Sequence, residues 1–353
     1  MDASSSPPPL AILRASPFLR EGRACCWTAA DGVSLRGWLW RHPTAARVVV
    51  LLPGRAEFLE KYAGAAEEWF ARDWSVAALD WRGQGGSGRL LPDPDKGHVG
   101  CFADYQADLQ FFLSRFVTPL DPAPLVMAHS MGGLIALDAA LAPQPPALAG
   151  LILLAPMLAL PLPLPAGMAR RIAQVVVALG GGTAYAPGQG RRQPEHDARF
   201  AGNPLTRDPA GFALTRHWLR HCPELGLGGV TWGWLAAALN ATASLAARVA
   251  TPSPPVPGPL PPLLLASAGA DRVVCPAAHL RLAARLPQVT LRLYPDAAHE
   301  LLMETPATRA RLWQDIDAFL VASALATPAR QPSAHRVQDP APGETAPGPW
   351  RVS

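Results

Sequence analysis

Short apolar runs and helix-like segments alternate along most of this chain. Residues 48–52 form a continuous apolar run that Pro53 and Gly54 end, which is typical of a strand buried on both faces. Similar runs predict further strands at 76–79, 125–128, 151–154, 263–266 and 290–294. Apolar residues at helical spacing predict helices at 56–72, 105–116, 131–141, 277–286 and 308–325. This alternation predicts an α/β fold with a mostly parallel central sheet and helices on both faces.

Two segments depart from the alternation. Near the start, residues 23–28 and 33–41 flank a turn at Asp31-Gly32 and predict an antiparallel strand pair. Later, the alternation stops at Pro156 and resumes at Leu263. Residues 156–262 are therefore expected to form a helical cap inserted after the sixth strand, with helices at 168–179, 212–221 and 232–249 and a proline-rich return linker.

The two ends of the chain differ from the core segments 21–155 and 263–325. Residues 1–20 predict a mobile arm, and residues 326–353, rich in Pro, Ala, Ser and charge, predict a disordered tail. The first residues lack the basic start and sustained apolar run of a signal peptide. The uncharged segment 147–168 contains four prolines, which would break a membrane-spanning helix. We therefore expect a cytoplasmic protein.

Composition narrows the classes of function. Hydrophobic residues make up 49% of the chain and charged residues 16%, so a large core is feasible. The net charge of +4 comes almost wholly from scattered arginines, because Lys61 and Lys96 are the only lysines. No basic run is interleaved with aromatic residues, which argues against nucleic-acid binding. The five cysteines match no disulfide or zinc framework and indicate free thiols in a reducing compartment.

The segment Ala-His-Ser-Met-Gly-Gly at 128–133 joins a predicted strand to a predicted helix. A serine on such a sharp turn presents its hydroxyl above the sheet edge, and small residues two before and two after it let strand and helix approach. The usual pattern is G-x-S-x-G, and Ala128 departs from it by one methyl group. Alone, the segment is equally compatible with a serine that caps a helix. Its interpretation therefore depends on partners for Ser130.

A serine nucleophile needs a base, and the base needs an orienting acid, in the chain order Ser, Asp or Glu, His. Asp271 and His299 each follow a predicted strand downstream of Ser130. Because sites in parallel sheets form at the carboxyl ends of strands, we expect all three to meet at one edge. Asp296 is the rival acid, but its position suits a turn cap better. His129 is expected to point away from the site.

An acyl-transfer site also needs hydrogen-bond donors for the oxyanion. One expected donor is the backbone N–H of Met131, directly after the nucleophile. The second is the backbone N–H of Arg55, in the loop after the strand at 48–52, since Pro53 has no N–H to donate. The glycine-rich segment 80–87 lacks the P-loop lysine and predicts a structural loop beside the site.

With these residues assembled, the chain resembles the α/β-hydrolase group that contains bacterial lysophospholipase L2 and monoacylglycerol lipases, which carry a serine aminopeptidase S33-type hydrolase domain. The resemblance covers about residues 20–325 and is carried by PGRAE at 53–57 with Lys61-Tyr62, DWRGQG at 80–85, GHV at 97–99 with Phe102 and Asp104-Tyr105, the segment 128–133, APM at 155–157, DRVV at 271–274 and His299-Glu300. Monoacylglycerol lipases usually have His where this chain has Pro53, and Gly in place of Ala128. Both departures favour the lysophospholipase L2 side.

The resemblance implies a serine hydrolase of the α/β-hydrolase fold that cleaves lipid esters through an acyl-enzyme on Ser130, without metal or organic cofactor. Its expected partner is a lipid ester substrate, with peripheral contact at the inner face of a membrane. The cap residues expected to line the substrate entrance are Trp232, Trp234 and Leu235. A general carboxylesterase, an S33-type aminopeptidase and a non-catalytic binding protein of the same fold stay open as alternatives, and the oligomeric state is not indicated.

Overall fold

The computed structural model describes residues 16–193, 199–250 and 260–325. Most of the predicted arm, part of the return linker and the whole predicted tail lie outside these residues. The strands are β1 Arg23–Thr28, β2 Ser34–Trp40, β3 Val48–Leu52, β4 Ser75–Asp80, β5 Leu125–His129, β6 Gly150–Leu154, β7 Leu263–Ala268 and β8 Val289–Tyr294. The helices are α1 Pro17–Glu21, α2 Ala63–Phe70, α3 Phe102–Phe112, α4 Ser130–Ala140, α5 Ala166–Ala178, α6 Pro209–His221, α7 Trp232–Ala250, α8 Pro276–Arg285 and α9 Pro306–Ala322.

The described strands form one eight-stranded sheet in the order β1-β2-β4-β3-β5-β6-β7-β8. The β1–β2 and β2–β4 pairs are antiparallel, whereas β4, β3, β5, β6, β7 and β8 pair in parallel. The carboxyl ends of six neighbouring strands therefore meet at one edge. The predicted mostly parallel sheet and the insertion after the sixth strand are confirmed.

Two hydrophobic layers cover the faces of the sheet. Strand β3 shows the arrangement, since Val48, Val50 and Leu52 belong to one layer and Val49 and Leu51 to the other. All five residues of β3 are buried, as a central parallel strand requires. Strand β5 leads directly into α4 at Ser130, so the residue at this junction is held at the sheet edge.

Two boundaries differ from the sequence-based prediction. The end of the segment expected to be a mobile arm forms α1, where Phe18 is fully buried and its ring lies 5.9 Å from that of Trp40. The helix predicted from residue 56 begins only at Leu59, as a single 3-10 turn that leads into α2. Residues 53–58 form a loop instead, because buried side chains hydrogen-bond to the backbone of this loop, as described below.

The packing of α1 generates a stability prediction. We expect Phe18→Ala to lower the free energy of unfolding by about 3–5 kcal/mol, since it opens a cavity beneath Trp38 and Trp40. Phe111→Ala is the matched control, because the Phe111 side chain is 44% exposed. Urea unfolding followed by tryptophan fluorescence measures both. Equal losses for the two variants would show that α1 does not anchor the chain.

Candidate active site

Ser130 lies at the sharp turn between β5 and α4. Its φ of 50° is in the left-handed region, a strained conformation for a residue other than glycine. A Cβ at Gly132 would lie 2.5 Å from the carbonyl oxygen of Pro53, and one at Gly133 would lie 2.7 Å from the Pro156 Cβ. Any side chain at either position would therefore push α4 away from the neighbouring chain segments. This explains why the turn needs glycine after the serine.

The three residues predicted to act together lie in hydrogen-bonding contact. His299 Nε2 is 2.9 Å from Ser130 Oγ, and His299 Nδ1 is 2.7 Å from Asp271 Oδ2. The other carboxylate oxygen of Asp271 accepts hydrogen bonds from the N–H groups of Val273 and Val274 at 2.7 and 3.0 Å. The Asp271 carboxylate is thus fixed from one side by backbone and offers its free oxygen to the imidazole.

The electrostatics of this set suit a neutral base. Burial lowers the pKa of His299, although its bond to Asp271 opposes the shift. Burial disfavours the charged form of Asp271, but its hydrogen bonds from His299 and the backbone leave its pKa lowered overall. The rival acid Asp296 is 95% exposed and lies 4.0 Å from Arg207, so the structure does not bring it to the imidazole.

The loop after β3 packs directly against the nucleophile. A Cβ at Gly54 would lie 3.0 Å from the Ser130 Cβ. Among the described residues, the Arg55 N–H donates no hydrogen bond to another protein group. Met131 lies in the first turn of α4, where N–H groups have no partner within the helix. The loop that carries Arg55 and the helix turn that carries Met131 therefore both lie beside Ser130, whereas the role of their N–H groups as oxyanion donors stays a prediction.

Side chains from the loop after β4 brace this same loop. Gln84 donates to the carbonyl oxygens of Gly54 and Glu57 at 2.7 and 3.1 Å and accepts from the Ala56 N–H at 3.2 Å. Trp81 Nε1 donates to the Pro53 carbonyl oxygen at 2.7 Å. The predicted structural role of the glycine-rich segment is thus visible as hydrogen bonds to the loop beside Ser130.

A buried cluster of charged side chains beside the site was missed by the sequence analysis. It consists of Glu57, Lys61, Tyr62, His129 and Glu300, which are all buried. Lys61 Nζ lies 2.5 Å from Glu57 Oε1 and 2.6 Å from Glu300 Oε1. Glu57 Oε2 accepts from the Tyr62 hydroxyl at 2.6 Å and from the Gly54 N–H at 2.5 Å. The i,i+4 pair Glu57 and Lys61 was a signal of this cluster within the sequence.

The cap residues predicted to bind substrate lie at the start of α7. Trp234 is buried, its ring centroid lies 6.1 Å from that of Phe102, and the Arg55 guanidinium lies 5.8 Å above it. Trp232 and Leu235 are partly buried against the same hydrophobic layer. Trp234 thus contacts the side chain of an expected oxyanion residue, whereas a substrate-binding role for the three stays a prediction.

Comparisons with known proteins identify the family and the fold. Residues 43–306 match the family described as serine aminopeptidase, S33. Lysophospholipase L2 of Escherichia coli strain K12 is 33% identical over 307 residues, which cover 83% of this chain and 86% of that protein. A probable lysophospholipase L2 of Haemophilus influenzae is 28% identical over 284 residues, covering 78% of this chain and 83% of that protein.

Among solved structures, a soluble variant of monoglyceride lipase from Saccharomyces cerevisiae superposes with a TM-score of 0.65 at 18% identity, covering 86% of this chain and 96% of that one. At this identity the likeness concerns the fold. Family match, identity and fold agree: the chain belongs to the serine aminopeptidase S33 family and is an α/β-hydrolase enzyme.

Proposed function

We propose that this hydrolase cleaves carboxylic esters of single-chain lipids, lysophospholipids or monoacylglycerols, through an acyl-enzyme on Ser130. The observation that carries the proposal is the continuous chain of hydrogen bonds from Ser130 Oγ through His299 to Asp271, at 2.9 and 2.7 Å. Such a chain converts a weak alcohol into a nucleophile without a cofactor.

The contacts suggest the order of the steps. Ser130 Oγ attacks the ester carbonyl carbon while His299 Nε2 takes the hydroxyl proton, and Asp271 stabilises the imidazolium that forms. The carbonyl oxygen becomes an oxyanion, which accepts from the N–H groups of Arg55 and Met131. His299 then gives its proton to the leaving alcohol, and an acyl ester remains on Ser130. Water activated by the same imidazole releases the fatty acid.

Two features favour a lipid ester as substrate. The Escherichia coli relative is named as a lysophospholipase, and this chain shares a third of its residues over most of its length. Helix α7 of the cap contributes Trp232, Trp234 and Leu235 to the same apolar layer as Met131, the residue after the nucleophile. Such surfaces suit an acyl chain better than a sugar or a peptide.

The proposal includes contact of the cap helix α5 with a lipid surface. Met168, Ile172, Val175 and Leu179 recur at helical spacing and are between 41% and 83% exposed. The helix carries Arg170 and Arg171 and no acidic residue, as is typical of helices that lie on anionic membranes. No helix within residues 16–193, 199–250 and 260–325 is both long and apolar enough to cross a bilayer. We propose a cytoplasmic enzyme that touches the inner membrane face through α5.

The substrate proposal predicts a ranking of esters. We expect kcat/KM for a long-chain lysophospholipid or monoacylglycerol to exceed that for p-nitrophenyl acetate by at least about tenfold, because each buried methylene contributes about 0.8 kcal/mol. Fatty-acid release by the wild type, with Ser130→Ala as the inactive control, measures this. Faster cleavage of an aminoacyl amide than of any ester would instead favour an aminopeptidase.

The acid assignment predicts an asymmetry between two aspartates. Asp271→Asn should lower kcat by about 10³–10⁴-fold, since the imidazole loses the partner that orients and stabilises it. Asp296→Asn should leave kcat within about twofold, because its carboxylate is 95% exposed and does not reach His299. Steady-state hydrolysis of one ester by both variants decides the matter. The reverse ranking would show that the acid assignment is wrong.

The membrane proposal predicts a loss of binding without loss of fold. Met168→Asp combined with Val175→Asp should weaken association with vesicles of phosphatidylcholine and phosphatidylglycerol by at least about tenfold, because two apolar contacts with lipid are lost. Val321→Asp, on α9 and 70% exposed, is the control. Vesicle co-sedimentation measures binding. Equal binding by all three proteins would place the contact elsewhere.

A further inference from the structure

His129, the residue before the nucleophile, does not point away from the site as expected from the sequence. Its Nε2 lies 3.2 Å from the carbonyl oxygen of His299, and its Nδ1 lies 2.9 Å from Glu57 Oε2. The two histidine rings are neighbours, with centroids 4.7 Å apart. His129, the last residue of β5, thus connects the strand that leads to Ser130 with the loop that carries His299.

Hydrogen-bond accounting fixes the protonation of His129. A backbone carbonyl oxygen only accepts, so Nε2 of His129 must carry a proton toward His299. The Glu57 carboxylate accepts from Tyr62, Gly54 and Lys61. Although burial opposes ionisation, the charge of Lys61 holds the pKa of Glu57 well below its usual range, so the carboxylate is ionised and only accepts. Nδ1 of His129 must therefore also carry a proton toward Glu57. Both ring nitrogens donate, and the ring is an imidazolium.

With this assignment, the charges of the buried cluster balance. Glu57 and Glu300 supply two negative charges, and Lys61 supplies one positive charge between them. A positive His129 brings the sum to zero, which is what a site with little water requires. In agreement, the pKa of His129 is raised, since the negative charge of Glu57 outweighs the opposing effect of burial.

We propose that His129 is a positioning residue for His299: a fixed imidazolium, charged through Glu57, that holds the His299 carbonyl and disfavours a second positive charge on the neighbouring ring. The inference rests on the proposed role of His299 as base. The other groups that face His299 are Asp271, Ser130 and the adjacent Glu300, and His279 on α8 also senses its charge. Of these, Asp271 and Glu300 favour the protonated ring, and His129 opposes them so that His299 is a free base at lower pH.

The test is the acid limb of the pH profile of kcat/KM, measured on an ester from pH 4 to 9. In His129→Gln the cation is absent, so the pKa of His299 should rise and the limb should move up by about one pH unit. At the alkaline end of the profile His299 is neutral in both proteins, so the kcat/KM of His129→Gln should approach that of the wild type. The control is His42→Gln, because His42 Nε2 lies 3.4 Å from Asp73 Oδ1 and not beside His299. This variant should keep the acid limb of the wild type.

Glu57→Gln distinguishes an effect that acts through His129 from the direct effect of losing a negative charge near His299. Removing a carboxylate near His299 would by itself lower the pKa of the imidazole and move the limb down. Under the proposal the limb moves up, because His129 loses the anion that keeps it charged and becomes neutral. A downward shift would overturn the proposal.

Nitrogen NMR of the full-length wild type gives a readout that does not depend on activity. The His129 ring should show two protonated nitrogens at pH 7, and its signals are identified by their loss in His129→Gln. A neutral ring at pH 7 would overturn the inference. If the wild type neither hydrolyses esters nor labels with a fluorophosphonate at Ser130, the proposed function fails, while the NMR result still decides the state of His129.

Discussion

Four donors converge on the carboxylate of Glu57, and the shape of the site depends on them. The Gly54 N–H, Lys61, Tyr62 and His129 all lie within 2.9 Å of its oxygens. An ionised carboxylate buried this deeply is tolerated only when such partners replace its water. Every displacement of the loop after β3 would leave part of this charge unsatisfied. The loop therefore holds one conformation beside the nucleophile although it is neither helix nor strand.

A second group of charged side chains, farther from the site, is also buried with its partners. Asp80, at the end of β4, is fully buried and accepts from the Leu59 N–H at 2.9 Å, while Arg36 pairs with both Asp80 and Glu60 at 2.5 and 2.7 Å. Burial raises the pKa of Asp80 to about 6, although the charge of Arg36 opposes the shift. The segment that follows the loop after β3 is thus held at two points, by Asp80 through the Leu59 N–H and by Arg36 through the Glu60 carboxylate.

The residues that a local pattern can identify were the ones predicted correctly. The apolar run of β3 and the turn around Ser130 depend on neighbours in the chain, and both lie where they were expected. Helix α1 was missed because Phe18 is anchored by tryptophans of β2 rather than by its own segment. The partners of His129 were missed for the same reason, since Glu57 and His299 reach it only through the fold of the sheet edge.

Arg55 belongs to two parts of the enzyme at once. Its backbone lies in the loop that packs on Ser130, while its guanidinium donates to the carbonyl oxygen of Gly228 at 2.9 Å and lies above Trp234. The cap and the loop after β3 are therefore linked through one side chain. A displacement of the cap at Gly228 or Trp234 would therefore have to break these contacts or move the loop that packs on Ser130. The position of the cap and the backbone beside the nucleophile thus depend on the same arginine side chain.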